Sequence, residues 1–242
     1  MSEPVRLSKR VIELTGCSRA QAERYVEGGQ VTVDGEVIDR PEFPITDQRV
    51  ELNPEAEAVP VEPATLLLHK PAGMSTFATE SVAGALGLVT AESRWAEDPS
   101  EVRHLRRHLG RLTPVLPLES RASGLQMLTQ DGRLVHRMRE EGNRIEQEFI
   151  VEVSGSIAMY GLHKLGHGVS FDGRVLPPCK VSWQNETRLR FAIKGVRDGQ
   201  LASMCEQVGL KLVSARRIRI GRVPLAKMPE GQWRYLPFGE RI

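Results

Sequence analysis

Between Asn53 and Ala64 the chain reads N-P-E-A-E-A-V-P-V-E-P-A, and a packed core cannot run through it. Three prolines remove backbone donors, three glutamates add like charge, and the remaining side chains are small or isolated. The chain is therefore expected to fold as two pieces, residues 1–53 and 66–242, joined by a linker over 54–65. A length of 242 residues accommodates a small domain followed by a larger one.

The first piece is well punctuated. In R-L-S-K-R-V-I-E-L, Leu7, Val11, Ile12 and Leu14 fall near helical spacing, and Thr15-Gly16 ends the run. A second helix is predicted from Ser18, whose Gln21 three residues on completes a capping-box pattern, to Gly28-Gly29. Q-V-T-V-D-G-E-V-I then reads as strand, Asp34-Gly35 turn and strand.

The larger piece begins at T-L-L-L-H-K-P. F-I-V-E-V, L-R-F-A-I-K-G and A-R-R-I-R-I-G are predicted strands; G-R-L-V-H-R-M-R-E-E-G and D-G-Q-L-A-S-M-C-E-Q-V-G are predicted helices. Strands and helices without a steady βαβ alternation favour an α+β fold.

Composition narrows the function classes. Apolar residues make up 40% and charged residues 26%, the balance of an ordinary globular chain. No apolar run approaches the roughly 20 residues that cross a bilayer, and the first ten residues have no apolar signal-peptide core, so a cytoplasmic location without membrane contact is expected. Cys17, Cys179 and Cys205 are far apart, with no C-x-x-C pair, and are expected to be reduced thiols. His163 and His167 stand four apart among glycines in G-L-H-K-L-G-H-G. A metal site there would need a helix and a third ligand, so no metal is expected.

Net charge is only +2, yet basic residues cluster. V-R-H-L-R-R-H-L-G-R holds Arg103, Arg106, Arg107 and Arg111 without an acid, and K-L-V-S-A-R-R-I-R-I-G-R holds Lys211, Arg216, Arg217, Arg219 and Arg222 without one. Each cluster is read either as a phosphate-binding face or as solvated surface.

The first 53 residues resemble an S4 RNA-binding domain, on the strength of R-L-S-K-R-V-I-E-L-T-G-C-S-R-A-Q-A-E-R-Y-V-E-G-G-Q-V-T-V-D-G-E-V-I. The resemblance implies a small module that grips structured RNA, with Arg6, Lys9, Arg10, Ser18 and Arg19 as contacts. Side-chain cations and helix N-termini are the groups that meet phosphates. Arg103, Arg106, Arg107, Arg217 and Arg219 extend the expected RNA surface.

The larger piece resembles the S4-containing rRNA pseudouridine synthases, the RsuA-like family, and most nearly its RluF-type branch. L-L-L-H-K-P-A-G-M-S-T is similar to the family's strand and N-K-P-x-G. P-L-E-S-R-A-S-G-L-Q-M-L-T-Q-D-G-R-L is similar to G-R-L-D-x-x-[TS]-x-G-L-x-x-L-T-x-D-G. E-Q-E-F-I-V-E-V-S-G and the C-terminal run through G-Q-W-R-Y-L follow in family order. The resemblance implies an α+β architecture: an S4 domain, then a domain built on a mixed, largely antiparallel sheet. It implies an isomerase that flips a uridine out of RNA, attacks it with an aspartate and rejoins the turned base through C5, without cofactor or metal. The implied partner is structured RNA, rRNA first, and a monomer is the default.

At the implied site the residues depart from the pattern. The catalytic aspartate falls on Glu119, one methylene longer; a misplacement of about 1 Å can cost on the order of a hundredfold in rate. The arginine two residues earlier falls on Pro117, and the glycine before it on Leu116. The tyrosine falls on Phe149, which keeps a stacking face without the hydroxyl, and the lysine before it on Gln147. N-R-Q-I-R-R-M reads here as R-D-G-Q-L-A-S-M, with Ala202 and Ser203 where two arginines are expected. The cleft is expected to gather Glu119, Phe149, Arg121, Ser123, Gly124 and Leu201, with Arg121 or Arg197 as a substitute cation. Three readings follow: an RNA-binding protein, catalytically impaired or silent, on a pseudouridine synthase fold; an active pseudouridine synthase using Glu119; and a cleft serving something other than RNA.

Overall fold

Ser18 starts the best-defined helix of the N-terminal region by a reciprocal exchange with Gln21. Its hydroxyl accepts from the Gln21 backbone N–H, while the Gln21 side-chain oxygen accepts from the Ser18 N–H over 3.0 Å. This helix belongs to a computed structural model that describes residues 3–77, 84–237, 239, 240 and 242. The chain divides into two units: residues 1–63 with Arg103–Arg111, and residues 64–102 with 112–242.

In the first unit, β1 (Val5–Arg6) leads into α1 (Leu7–Thr15), followed by α2 (Arg19–Glu27), β2 (Val31–Val33), β3 (Glu36–Val37), β4 (Pro44–Ile45) and β5 (Val50–Leu52). β2 lies between β3 and β5, and β1 pairs with β4. Asp34 and Gly35 both take positive φ, 51° and 86°, as a two-residue hairpin turn requires. Leu7, Val11, Ala22, Val26, Val31 and Ile45 form the core. Each large aliphatic among them contributes about 1.5–3 kcal/mol relative to exposure. Residues 57 and 58, within the proline-rich stretch, are held to this unit: Gln30 bonds both backbone groups of Glu57, and Arg24 donates to Ala58 O.

The second unit is α+β. Its strands are β6 (Thr65–Lys70), β7 (Thr113–Val115), β8 (Ser123–Thr129), β9 (Glu146–Gly155), β10 (Ser170–Phe171), β11 (Arg174–Val175), β12 (Lys180–Trp183), β13 (Arg188–Lys194), β14 (Leu210–Ile220), β15 (Val223–Pro224) and β16 (Trp233–Tyr235). Its helices are α3 (Gly132–Glu141), α4 (Gly161–His167) and α5 (Gln200–Glu206). The main sheet runs β12-β13-β9-β14-β8-β6-β16, with β15 on β14 and β7 on β8. β14 and β8 pair in parallel through Arg216–Ser123 and Arg217–Gly124, while its other ladders among the described residues are antiparallel. The mixed, largely antiparallel sheet expected from the sequence is therefore present.

Gly124 makes the parallel junction possible. Its φ is 112°, and a Cβ there would stand 2.3 Å from Arg217 O and 2.6 Å from Arg217 N. Two apolar clusters pack against the sheet, one containing Phe149, Leu189, Phe191 and Leu201, the other Leu67, Leu125, Met127 and Ile220.

α4 departs from the sequence reading, which expected no helix among these glycines. Here glycine permits close packing. A Cβ on Gly161 would meet Ile157 at 2.5 Å, and one on Gly166 would meet Cys179 O at 3.3 Å. Tertiary packing of Leu165 outweighs the low helix propensity.

Candidate active site

The site rests on Lys70, the last residue of β6. Its side chain is fully buried, and Nζ donates to Pro71 O at 2.8 Å, Met74 O at 2.7 Å and Ser120 O at 3.3 Å. One ammonium thus ties the turn after β6 to the loop bearing Glu119. Burial is the main cause that pushes Lys70 down to about 8, with Arg217 adding repulsion and Glu119 and Glu230 opposing.

The loop before β8 is fixed from below by Gln126, also fully buried. Its oxygen accepts from Leu118 N and its nitrogen donates to Val115 O and Met127 O. Thr76 Oγ1 donates to Leu118 O at 2.9 Å. Leu116 adopts φ 48°, in the left-handed region that disfavours a branched side chain. This is the position that the family resemblance assigns to glycine. The loop holds a glycine-type backbone although the side chain has changed.

Glu119 is half-buried at the end of this loop. Its Oε2 accepts the backbone N–H of Gly199, the residue preceding α5, over 2.8 Å. Gly199 takes φ 75°, which a side chain would strain. Among the described residues no side-chain cation forms an ion pair with Glu119.

Glu119 borders an open cleft of about 460 Å³, also lined by Gln147, Phe149, Arg197, Leu201 and Arg217. Phe149 on β9 and Arg217 on β14 are register partners. Arg217 is 1% exposed, and burial pushes its guanidinium down to about 9, still protonated at neutral pH. Nε donates to Leu125 O at 2.7 Å and Nη1 to Gln147 Oε1 at 2.9 Å. Nη2 is buried without a hydrogen-bond partner. A buried cation with one open donor, beside a carboxylate and an aromatic side chain, can receive a polar planar ligand.

Of the expected cleft residues, Glu119, Phe149 and Leu201 line one space. Arg121 is exposed and does not line it, and Ser123 and Gly124 lie in β8 at the junction with β14. Arg197 lines the cleft but is engaged elsewhere, pairing with Asp172 at 3.2 Å and covering the Phe171 ring at 4.8 Å. Neither arginine substitutes for the missing cation in this arrangement.

The expected RNA contacts divide similarly. Arg6 and Lys9 are exposed at the start of α1. Arg10 pairs with Glu13 and Arg19 with Glu23, both on the surface, and the Ser18 hydroxyl is taken up by capping. Arg103 donates to Gly29 O at 2.7 Å, Arg107 pairs with Glu27, and the Arg106 side chain is exposed while its backbone N–H bonds Asp39. Two expectations are corrected. Arg217 faces inward, because strand alternation places it with Ala215. Arg219 bridges Glu146 and Glu148 at 2.6 Å each, so its charge is already matched.

Lys70 was not singled out by sequence reasoning, although a lysine closing the apolar strand L-L-L-H-K was the available signal. Among the described residues, no three His, Cys, Asp or Glu side chains converge as a metal site requires, and no helix is long and apolar enough to cross a membrane.

Comparison with known proteins bears on the fold and the family. The S4 domain model matches residues 5–50. The chain is 28% identical over 238 residues to the dual-specificity RNA pseudouridine synthase RluF of Escherichia coli O6:H1, covering 98% of this chain and 77% of that protein. It is 26% identical over 239 residues to the ribosomal small subunit pseudouridine synthase A of Escherichia coli K12, covering 96% of each. A crystal structure of a pseudouridylate synthase shares the fold, with a TM-score of 0.61, 21% identity and 96% coverage of both chains.

Proposed function

We propose that this chain, which carries an S4 domain and is homologous to the RluF- and RsuA-type RNA pseudouridine synthases, converts uridine to pseudouridine in structured RNA, with Glu119 as the attacking carboxylate. The observation that carries this reading is the placement of Glu119 beside Phe149 and the open Arg217 donor in one cleft.

The longer glutamate arm fits its surroundings. Ala202 and Ser203 offer no cation at α5, but the extra methylene brings the carboxylate to the Gly199 N–H. That N–H aims the oxygen, and Lys70 supplies nearby positive charge through the loop it clamps. Phe149 faces the extruded base, and Arg217 Nη2 donates to a base carbonyl. A Glu119 oxygen bonds to the nucleoside, the N1–C1′ bond breaks, and the base turns. C5 then bonds to C1′ as the bond to the Glu119 oxygen breaks and frees the carboxylate, the C5 hydrogen leaves as a proton and N1 gains one. No electrons are gained or lost, so no redox partner enters.

In this reading the first unit grips the RNA and the second, residues 64–102 with 112–242, carries the chemistry; the linker expected over 54–65 is shorter, because residues 57 and 58 are held to the first unit and β6 begins at Thr65. The target is rRNA, and the protein works as a cytoplasmic monomer without metal. The test is tritium release from RNA transcripts carrying 5-tritiated uridine. Release by the wild-type chain and none by Glu119→Gln is expected.

A second reading is favoured by one observation: no side-chain cation pairs with Glu119 among the described residues. In it the protein binds rRNA without chemistry, on a retained scaffold. RNA binding with no tritium release from any rRNA or tRNA transcript selects it and overturns the first.

A further inference from the structure

The catalytic cleft does not end at Glu119. Asn143, Arg174, Gly195 and Arg197 line it and also line a neighbouring groove of about 500 Å³. That groove shares Lys194 with a third depression of about 670 Å³, bordered by Lys180 and by His163 and His167 of α4. The three spaces adjoin through these shared residues, a track from the cleft past β11 and the end of β13 to β12 and α4.

Its charge is one-sided. Arg144, Arg174, Lys180 and Lys194 are exposed, and none forms an ion pair among the described residues. The neighbouring acids are mostly matched: Glu146 pairs with Arg219, and Asp172 with Arg197. On the cleft side, Glu119 and Asp198 are acids without an ion pair among the described residues. At the far end, the His163 and His167 rings stack at 5.2 Å with 24° between planes, and both residues are exposed. Unmatched cations along a groove that ends on flat rings are the two elements of single-strand recognition. The cations follow phosphates, and the rings stack with bases of any sequence.

We propose that this track binds the single-stranded RNA that flanks the nucleotide in the cleft, with Arg174, Lys194 and Lys180 on the phosphates and the His163–His167 pair against a base. The proposal rests on the RNA-directed reading of the cleft, and it places a second RNA-binding surface in the larger unit, distinct from α1 and α2.

The test compares four full-length proteins: wild type, Arg174→Glu/Lys180→Glu/Lys194→Glu, His163→Ala/His167→Ala, and Arg6→Glu/Lys9→Glu. Each is titrated with a fluorescein-labelled oligouridine about twelve nucleotides long, at several salt concentrations. All substituted side chains are exposed, so thermal melting should match wild type and serves as the folding control. The triple reversal should weaken binding at least tenfold and flatten the salt slope by about two, since each single-strand phosphate contact contributes roughly 0.7. The histidine pair should weaken binding severalfold without changing that slope, and the triple reversal should weaken oligouridine binding more than the α1 reversal does. Unchanged affinity and slope in the triple reversal, with wild type binding well, overturns the track alone. A wild type that binds neither the oligouridine nor intact rRNA overturns the track together with the RNA-directed reading.

Discussion

The backbone N–H of Gly199 reaches the carboxylate of Glu119 across 2.8 Å, joining the loop before β8 to the start of α5. This contact defines where the oxygen of the proposed nucleophile stands. Shortening the arm withdraws the oxygen by about a bond length. Glu119→Asp should therefore lose on the order of a hundredfold in tritium-release rate while melting as wild type does. A rate that rises in this variant would mean that the Gly199 contact does not aim the nucleophile.

Arg217 sets stability against activity. A buried guanidinium held by an amide and a carbonyl, with no carboxylate, is expensive to desolvate. Arg217→Met keeps the length and removes the charge. Urea unfolding should show a loss no larger than about 1 kcal/mol, whereas substrate conversion should fall at least tenfold. A loss above about 3 kcal/mol would assign Arg217 a structural role instead.

Lys70 predicts a pH dependence whose sign can be worked out. Its folded value of about 8 lies below the ordinary lysine value near 10.4. Between these values the unfolded chain binds more protons, so this group adds stability as pH rises from about 8 towards 10 and adds nothing further below 8. Wild type should gain stability relative to Lys70→Met across that window. Activity should move oppositely, falling above pH 8 as the clamp on Ser120 O loses charge. A stability difference between the two proteins that stays flat from pH 7 to 10 would contradict this assignment.

Gly124 offers a purely steric prediction. A methyl group there would overlap the Arg217 backbone at a φ of 112°. Gly124→Ala should cost more than about 3 kcal/mol, read by urea unfolding, because backbone on both sides prevents relaxation. A near-neutral result would show that the β8–β14 junction is looser than described.

Much of the fold was legible because local chemistry and tertiary packing agree. Ser18 and Gln21 form the predicted capping box, Asp34-Gly35 makes the predicted turn, and F-I-V-E-V lies within β9. α4 was missed because Gly161 and Gly166 act through packing, which composition cannot reveal. The grouping of Arg103–Arg111 with residues 1–63 was hidden because its bonds to Gly29 and Glu27 span more than 70 positions. At the site, Glu119, Phe149 and Leu201 could be read from motif order. The Gly199 contact could not, since a backbone donor leaves no side-chain signature. Arg217 was misread as surface because its basic neighbours obscured the strand alternation that buries it.

The central claim is tested most directly by pseudouridine mapping of total rRNA and tRNA from three strains: one carrying the wild-type gene, one lacking it, and one encoding Glu119→Gln. Loss of the same mark from the second and third strains is the predicted result. A map identical in all three would contradict it and leave binding without chemistry as this protein's function.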